Sequence, residues 1–145
     1  MIFIVIAAAV FLLDYFVKKW ADKKLPGKPR KNLGKTGFSL KLTHNYGFAC
    51  NKLDKKPELV KVIHLVVMVV LGAYSLLFLF FRKGKEWISL GMALILGGGL
   101  SNLYDRWKKG YVVDYLGLPG IKKLLFNISD LFIFLGSILL LIKNS

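Results

Sequence analysis

Acidic residues are scarce in this chain of 145 residues: eight Asp and Glu stand against 22 Lys and Arg, a formal net charge of +14. Cysteine is almost absent, and a single Cys50 excludes both an intrachain disulfide and a cysteine-only metal site. The two histidines, His44 and His64, are isolated and lack the spacing of metal ligands. We therefore expect neither a disulfide scaffold nor a metal centre.

Long apolar runs are what the chain has in abundance, since 55% of its residues are hydrophobic. Runs of about 18 or more apolar residues are typical of membrane helices. Four transmembrane helices are predicted, at residues 2–18, 59–81, 87–104 and 128–142. We interpret the first as a retained span rather than a signal peptide, because residues 1–13 carry no charge and no Ala-x-Ala-like site follows. The length predicts one membrane-embedded domain, residues 1–145.

Between these segments the pattern indicates short strands. Apolar and polar residues alternate from Phe38 to Thr43, which is typical of a half-buried strand, and a turn-rich stretch follows up to Ala49. Residues 110–116 are a second predicted strand, and residues 117–120 a turn. We expect residues 38–49 and 110–116 to form a small sheet on the membrane surface.

The excess positive charge is spread over the loops between the predicted spans. Anionic lipid headgroups fit this distribution better than nucleic acid does. Thirteen Lys and Arg lie between residues 18 and 61 and five between 106 and 123, against three between the second and third spans. The positive-inside rule alone would place the two long loops in the cytoplasm.

Two carboxylates, Asp114 and Asp130, lie in strongly apolar surroundings. A carboxylate is costly to bury near hydrocarbon, so each is a functional candidate. If the two converge at the membrane edge, they form the carboxylate pair of an aspartyl protease. Simpler roles are open for both: Asp114 as a surface charge balanced by Lys108 or Lys109, and Asp130 as a capping carboxylate opposite Asn127.

Two further polar groups allow structural interpretations. Asp14 and Lys18 are spaced i, i+4, which predicts a self-neutralising pair on the first helix. Asn102, Asp105 and Arg106 share a helical face near the end of the third span. Asp105 and Arg106 could compensate each other there, at the end of a membrane helix.

Taken together, these motifs resemble the lipoprotein signal peptidases, the signal peptidase II family of bacterial membrane aspartyl proteases. The matching motifs are Asp14-x-x-x-Lys18, Asn45-x-Gly47-x-Ala49, Gly98-x-x-x-Asn102-x-x-Asp105-Arg106, Val112-Val113-Asp114 and Phe126-Asn127-x-x-Asp130, in the family's order and over essentially the whole chain. The resemblance implies a membrane protein, mainly α, with four transmembrane helices and a small extracytoplasmic β-cradle.

The resemblance also assigns roles to residues. Asp114 and Asp130 match the catalytic pair, and Asp14 and Lys18 match a structural polar pair of the first helix. Substrate-binding and supporting positions are matched by Asn45, Gly47, Asn102, Asp105, Arg106 and Asn127. The implied reaction removes the signal peptide from diacylglyceryl-modified prolipoproteins, before the lipidated cysteine, without metal or cofactor.

The resemblance further implies a multi-pass protein of the bacterial inner membrane, with cytoplasmic termini and the site at the outer face, against the Lys and Arg bias. We expect a monomer, with membrane lipids as partners and no nucleic acid. The sequence departs from the family at Tyr46 and Phe48, where the usual motif is Asn-Thr-Gly-Ala-Ala, and at Ser129, where alanine is usual. These differences bear on substrate preference.

Other functions remain open at this point. An intramembrane protease of the presenilin type is not indicated: Tyr104-Asp105 supplies a Tyr-Asp dipeptide, but the Gly-x-Gly-Asp motif is missing. A small membrane transporter would place its carboxylates along a path through the bundle, whereas Asp105, Asp114 and Asp130 cluster at one end of the last two spans. A non-catalytic paralogue that binds lipoproteins or lipid is a further alternative.

Overall fold

The apolar runs form helices, and the polar segments between them form a small sheet. The computed structural model describes residues 1–48, 52–81, 86–121 and 124–142. In chain order the elements are α1 Ile2–Lys24, β1 Lys31–Asn32, β2 Ser39–Asn45, α2 Pro57–Phe81, α3 Glu86–Lys109, β3 Val112–Gly117, β4 Leu125–Phe126 and α4 Ile128–Ile142. The protein is therefore mainly helical with a small antiparallel sheet.

Three of the predicted spans are shorter than the helices that contain them, and α2 begins two residues earlier than predicted, at Pro57. α1 continues six residues beyond residue 18, to Lys24, and α3 continues five residues beyond residue 104, to Lys109. In the described part of the chain, α2 from Pro57 to Phe78 and α3 are long and apolar enough to cross a membrane, while α4 is a shorter apolar helix of 15 residues. The predicted count of four spans is not confirmed by this criterion.

α3 is the central helix, and it packs against α1, α2 and α4. Three successive glycines make this possible, each against a different neighbour. A Cβ at Gly97 would lie 2.5 Å from the carbonyl oxygen of Ala7 in α1, and one at Gly98 would lie 2.7 Å from that of Ser129 in α4. A Cβ at Gly99 would lie 2.5 Å from the sulfur of Met68 in α2. Small residues thus let three helices approach one backbone closely.

The sheet has the order β1-β2-β3-β4, and every neighbouring pair is antiparallel. The predicted pairing of the two longer strands is confirmed, with Thr43 opposite Asp114 and Asn45 opposite Val112. β3 begins two residues later than predicted and includes Gly117, which we expected in a turn. β1 and β4 were not predicted, and the expected end of the first strand segment, at Ala49, lies outside the described residues.

The inner face of the sheet rests on the end of α1. Ala21, Val113 and Tyr115 are buried together there, and Leu40, Leu42 and Ile128 are among the side chains packed around them. β3 is almost fully buried, because it lies between β2 and β4 and also contacts α1 and α3. This packing places the one carboxylate of β3, Asp114, beside the start of α4.

Candidate active site

Asp130 lies in the first turn of α4, where helical N–H groups have no partner within the helix. Three side chains accept these hydrogen bonds. Ile128 N–H donates to the Tyr115 hydroxyl at 3.2 Å, and Ser129 N–H donates to Asp14 Oδ1 at 3.1 Å. Asp130 N–H donates to Asn127 Oδ1 at 2.9 Å, and Asn127 N–H donates back to Asp130 Oδ2 at 3.2 Å. The capping arrangement predicted for Asn127 and Asp130 is therefore present, and it fixes the Asp130 carboxylate at the helix start.

Asp114 faces the same place from β3. Its side chain is 4% exposed, and both of its oxygens accept hydrogen bonds from amides. Asn127 Nδ2 donates to Oδ1 at 2.9 Å, and Asn45 Nδ2 donates to Oδ2 at 3.1 Å. The alternative in which Lys109 balances Asp114 is not what the structure shows, because the ammonium of Lys109 binds Asp22 at 2.8 Å and Asp105 at 3.1 Å.

Two asparagines connect the carboxylates. Asn127 is fully buried and contacts both Asp114 and Asp130. Asn102, on α3, donates from Nδ2 to Asp130 Oδ1 at 2.9 Å, while its Oδ1 accepts from Asn127 at 3.1 Å and from Lys18 at 2.7 Å. These contacts fix which end of each amide faces which partner. Asp114 and Asp130 are thus brought together by amide donors.

The electrostatics of this site favour a shared proton. The pKa of Asp114 is raised from 3.8 to about 7: burial is the largest cause and the nearby charge of Asp130 adds to it, while the hydrogen bonds from Asn45 and Asn127 and the charge of Lys18 oppose the rise. Desolvation disfavours a charged carboxylate, and a second carboxylate close by disfavours it again. Asp114 can therefore hold a proton near neutral pH.

Lys18 lies at the centre of a second cluster. Its ammonium contacts Asp14 Oδ2 at 2.7 Å, as predicted, and also contacts Asp105 Oδ2 at 3.3 Å. The pair is therefore not self-contained, and one lysine compensates two carboxylates. Asp105 also accepts a hydrogen bond from Val113 N–H at 3.2 Å, so the cluster positions the strand residue that precedes Asp114.

Arg106 does not serve as the internal partner of Asp105 that one interpretation proposed. Its Nη2 donates to the Gly47 carbonyl at 2.6 Å, and its Nη1 lies 3.2 Å from Nδ1 of His64. The guanidinium also lies over the Phe48 ring, 5.9 Å from its centroid. Asn45 and Gly47 form a tight turn after β2, because Gly47 N–H donates to Asn45 Oδ1 at 3.0 Å.

Sequence reasoning missed several residues of this network. Tyr115 follows Asp114 directly in β3, so strand alternation points the two side chains to opposite faces, yet the Tyr115 hydroxyl caps α4. His64 was considered only as a metal ligand, and Ser101, whose hydroxyl donates to Asp14 at 2.6 Å, was not considered. Only the polarity of Ser101 in an apolar helix could have indicated it. Across the described ranges, no three His, Cys, Asp or Glu side chains are grouped as metal ligands.

Comparison with known proteins places this fold among bacterial membrane enzymes. Two solved structures described as "Bacterial membrane enzyme structure by the in meso method" match with TM-scores of 0.83 and 0.79, at 22% and 21% identity. Each match covers 97% of this chain, with 85% and 90% of the respective solved chain. At this identity the likeness shows the fold alone.

The family follows from the sequence itself. The profile described as Signal peptidase (SPase) II matches residues 6–144. The lipoprotein signal peptidase of Caldanaerobacter subterraneus subsp. tengcongensis is 37% identical over 137 residues, covering 94% of this chain and 91% of the relative. That of Streptococcus pneumoniae is 35% identical over 144 residues, covering 95% and 90%. The chain belongs to the signal peptidase II family, and it is a protease of the bacterial cell membrane.

Proposed function

We propose that this protein is an aspartic endopeptidase that removes the signal peptide from prolipoproteins, with Asp114 and Asp130 as its catalytic pair. The observation that carries the proposal is the fully buried Asn127, which hydrogen-bonds Asp114 and caps the helix turn that bears Asp130. Two carboxylates that share amide donors, one with a pKa near 7, can hold one proton between them.

The proposed reaction uses both protonation states. The ionised carboxylate polarises a water molecule that attacks the peptide carbonyl, and the protonated one hydrogen-bonds the carbonyl oxygen and then protonates the leaving amine. The start of α4 favours negative charge at Asp130, whereas the apolar surroundings of Asp114 favour its neutral form. The proton belongs to the pair, and Asp114 is its main carrier before attack.

Supporting roles follow from the contacts. Asn102 and Asn127 orient the two carboxylates, and Asp105 holds β3 through Val113 N–H. Hydrogen bonds hold Asn45, Gly47 and Arg106 beside the pair, and the substrate peptide contacts these residues when it binds. The substrate we propose is diacylglyceryl-modified and is cleaved before the lipidated cysteine, without a cofactor. The bilayer holds the acyl chains while the cleavage site lies at the interface.

The membrane arrangement is part of the proposal. α1 to α4 each span the bilayer, residues 1–145 form one domain, both termini are cytoplasmic, and the sheet lies at the outer face. Trp20 and Trp107 are 45% and 59% exposed near the sheet ends of α1 and α3, where aromatic rings prefer the interface. The basic loops then face anionic headgroups, the protein acts as a monomer, and nucleic acid is not a partner.

The alternatives are not favoured. A non-catalytic paralogue has no need of a buried and a half-buried carboxylate joined by two buried asparagines, since uncompensated buried charge is costly. A transporter would need carboxylates distributed across the bundle, whereas Asp14, Asp105, Asp114 and Asp130 belong to one network at the sheet end of the helices.

The direct test is to incubate the purified protein in detergent or lipid with a diacylated prolipoprotein and to measure release of the signal peptide. The same substrate without its diacylglyceryl group is the control. Cleavage of the lipidated form alone supports the proposal. Failure to cleave either form contradicts it.

Orientation is tested separately with a reporter fused to the C-terminus. We expect the reporter in the cytoplasm, although the long loops are basic. A reporter active only on the outer side would mean that the Lys and Arg bias decides the topology and that the proposed orientation is wrong.

A further inference from the structure

Outside the proposed catalytic pair, a histidine of α2 contacts the buried guanidinium of Arg106. The Arg106 side chain is buried, with 8% exposed, and its two terminal nitrogens have different partners. Nη2 donates to the backbone carbonyl of Gly47, and Nη1 faces Nδ1 of His64. His64 lies in α2, outside every motif that relates the chain to its family.

The chemistry of the two side chains decides the state of the imidazole. A guanidinium has five N–H donors and no acceptor, so a hydrogen bond with His64 requires a lone pair on Nδ1. The other ring nitrogen, Nε2, faces Gly99 and lies 4.0 Å from the position that a Cβ would take there. His64 is therefore neutral, with its proton on Nε2, because Nδ1 must accept from Arg106.

A continuous series of hydrogen bonds leads from this histidine to the reaction centre. Arg106 binds the Gly47 carbonyl at 2.6 Å, and Gly47 N–H donates to Asn45 Oδ1 at 3.0 Å. Asn45 Nδ2 then donates to Asp114 Oδ2 at 3.1 Å. The turn at residues 45–48 is thus anchored at one end by Asp114 and at the other by Arg106, which itself is anchored by His64.

We propose that His64 is a positioning residue for the peptidase: by accepting a hydrogen bond from Arg106, it holds the turn at residues 45–48 in place beside the catalytic pair, where the substrate peptide binds. This inference rests on the proposed function. Within the described part of the chain, no hydrogen bond joins His64 to Asp114 or Asp130, so its loss affects the placement of substrate more than the chemical step.

A pure packing role is the competing explanation, because His64 also fills space beside Gly99 and Met68. His64→Leu keeps an apolar side chain in that space and removes the acceptor. His64→Gln keeps an acceptor, since its amide oxygen can receive the hydrogen bond from Arg106. The two variants therefore separate the acceptor from the volume.

The experiment measures kcat and KM for a diacylated lipopeptide in the wild type, both His64 variants and a Ser75→Ala control. Ser75 also lies in α2, and its hydroxyl donates to the Leu71 carbonyl of the same helix. We expect His64→Leu to raise KM about tenfold with kcat changed less than about threefold, the size expected for one hydrogen bond to a charged group. His64→Gln should recover most of the loss, and Ser75→Ala should resemble the wild type.

A spectroscopic measurement decides the contact independently of activity. In protein labelled with 15N-histidine at pH 7, His64 should show an unprotonated Nδ1 and a protonated Nε2. Proton on Nδ1, or a positively charged ring, overturns the proposal. So does equal activity of His64→Leu and the wild type, or equal loss in the Leu and Gln variants. If the wild type itself cleaves no lipopeptide, the proposed function fails, and the nitrogen signals still decide whether His64 holds Arg106.

Discussion

Two pairs of carboxylates lie in one hydrogen-bond network, and they differ in what surrounds them. Asp14 and Asp105 contact the ammonium of Lys18 at 2.7 and 3.3 Å. Asp114 and Asp130 contact the side-chain amides of asparagines instead. A cation compensates the charge of the first pair, whereas an amide orients the second pair and leaves it able to exchange a proton. The first arrangement suits a structural role, and the second suits acid and base chemistry.

Asn102 is where the two pairs meet. Its Oδ1 accepts from Lys18, the cation that binds Asp14 and Asp105, and its Nδ2 donates to Asp130 of the proposed catalytic pair. Asp14 makes a second connection, because it accepts the N–H of Ser129 at the start of α4. The two pairs are therefore distinct in chemistry but mechanically coupled, and mutations should separate the loss of activity from the loss of stability.

The largest effect is expected from removing acid and base capacity at the amide-bound pair. Asp114→Asn and Asp130→Asn should each lower the rate of signal-peptide release at least about a thousandfold, within the range for positioned acid or base groups. The protein should remain folded in the membrane, because the amide keeps the size of the carboxylate. Glu86→Gln, at the opposite end of α3, is the control. Near wild-type rates in either Asp variant would remove the catalytic assignment.

The next effect concerns stability at the lysine-bound pair. Lys18→Met leaves Asp14 without a cation and Asp105 with Lys109 alone, and it should lower the free energy of unfolding by about 5 kcal/mol. Asp14→Asn leaves Lys18 with Asp105 and should cost about 3 kcal/mol. Denaturation in detergent measures both. Asp14 is fully buried and Lys18 is 1% exposed, so solvent does little to screen the pair. A larger loss for Asp14→Asn would mean that Asp105 is not a real partner of Lys18.

The sequence pattern predicted the main elements of the fold but not their full extent. The apolar runs predicted all four helices, and the alternating pattern predicted β2 and β3. α1 and α3 extend further because charged residues such as Asp22 and Lys109 continue the helices and pair with each other at 2.8 Å. β1 and β4 have two residues each, too few for any alternation.

The candidate site was predictable as a set of residues but not as a network. The motifs brought Asp114, Asp130 and their supporting residues to attention, because polar groups in apolar segments are conspicuous. The link from Lys18 to Asn102 joins residues 84 positions apart, and no local pattern encodes such a contact. For the same reason, the spacing of Asp14 and Lys18 predicted their own ion pair but not the second ion pair of Lys18, with Asp105.

The pH dependence of cleavage is a finer test of the amide-bound pair. Above the pKa of about 7, Asp114 loses its proton and both carboxylates are charged, so kcat should fall about tenfold per pH unit in the alkaline range. Asn45→Ala removes a hydrogen bond that favours the ionised form, so this decline should move to higher pH. The pKa in the folded protein lies above 3.8, so Asp114 should also lower the free energy of unfolding as the pH rises from about 4 through about 7. A rate independent of pH from 6 to 9 would contradict a shared proton.

The smallest effect is expected at Ser129, whose backbone connects the two pairs. Its backbone N–H binds Asp14 of the lysine-bound pair, and its neighbour is Asp130. The Ser129 hydroxyl is fully buried, and no partner for it exists among the described residues.

A buried donor without a partner destabilises a protein, so Ser129→Ala should raise the free energy of unfolding by about 1 kcal/mol. Cleavage should stay unchanged, because alanine preserves the N–H that Asp14 accepts. Calorimetric or chemical unfolding of the variant beside the wild type gives the sign. A loss of stability would show that the hydroxyl has a partner, such as a buried water, and that Ser129 belongs to the polar network rather than merely lying within it.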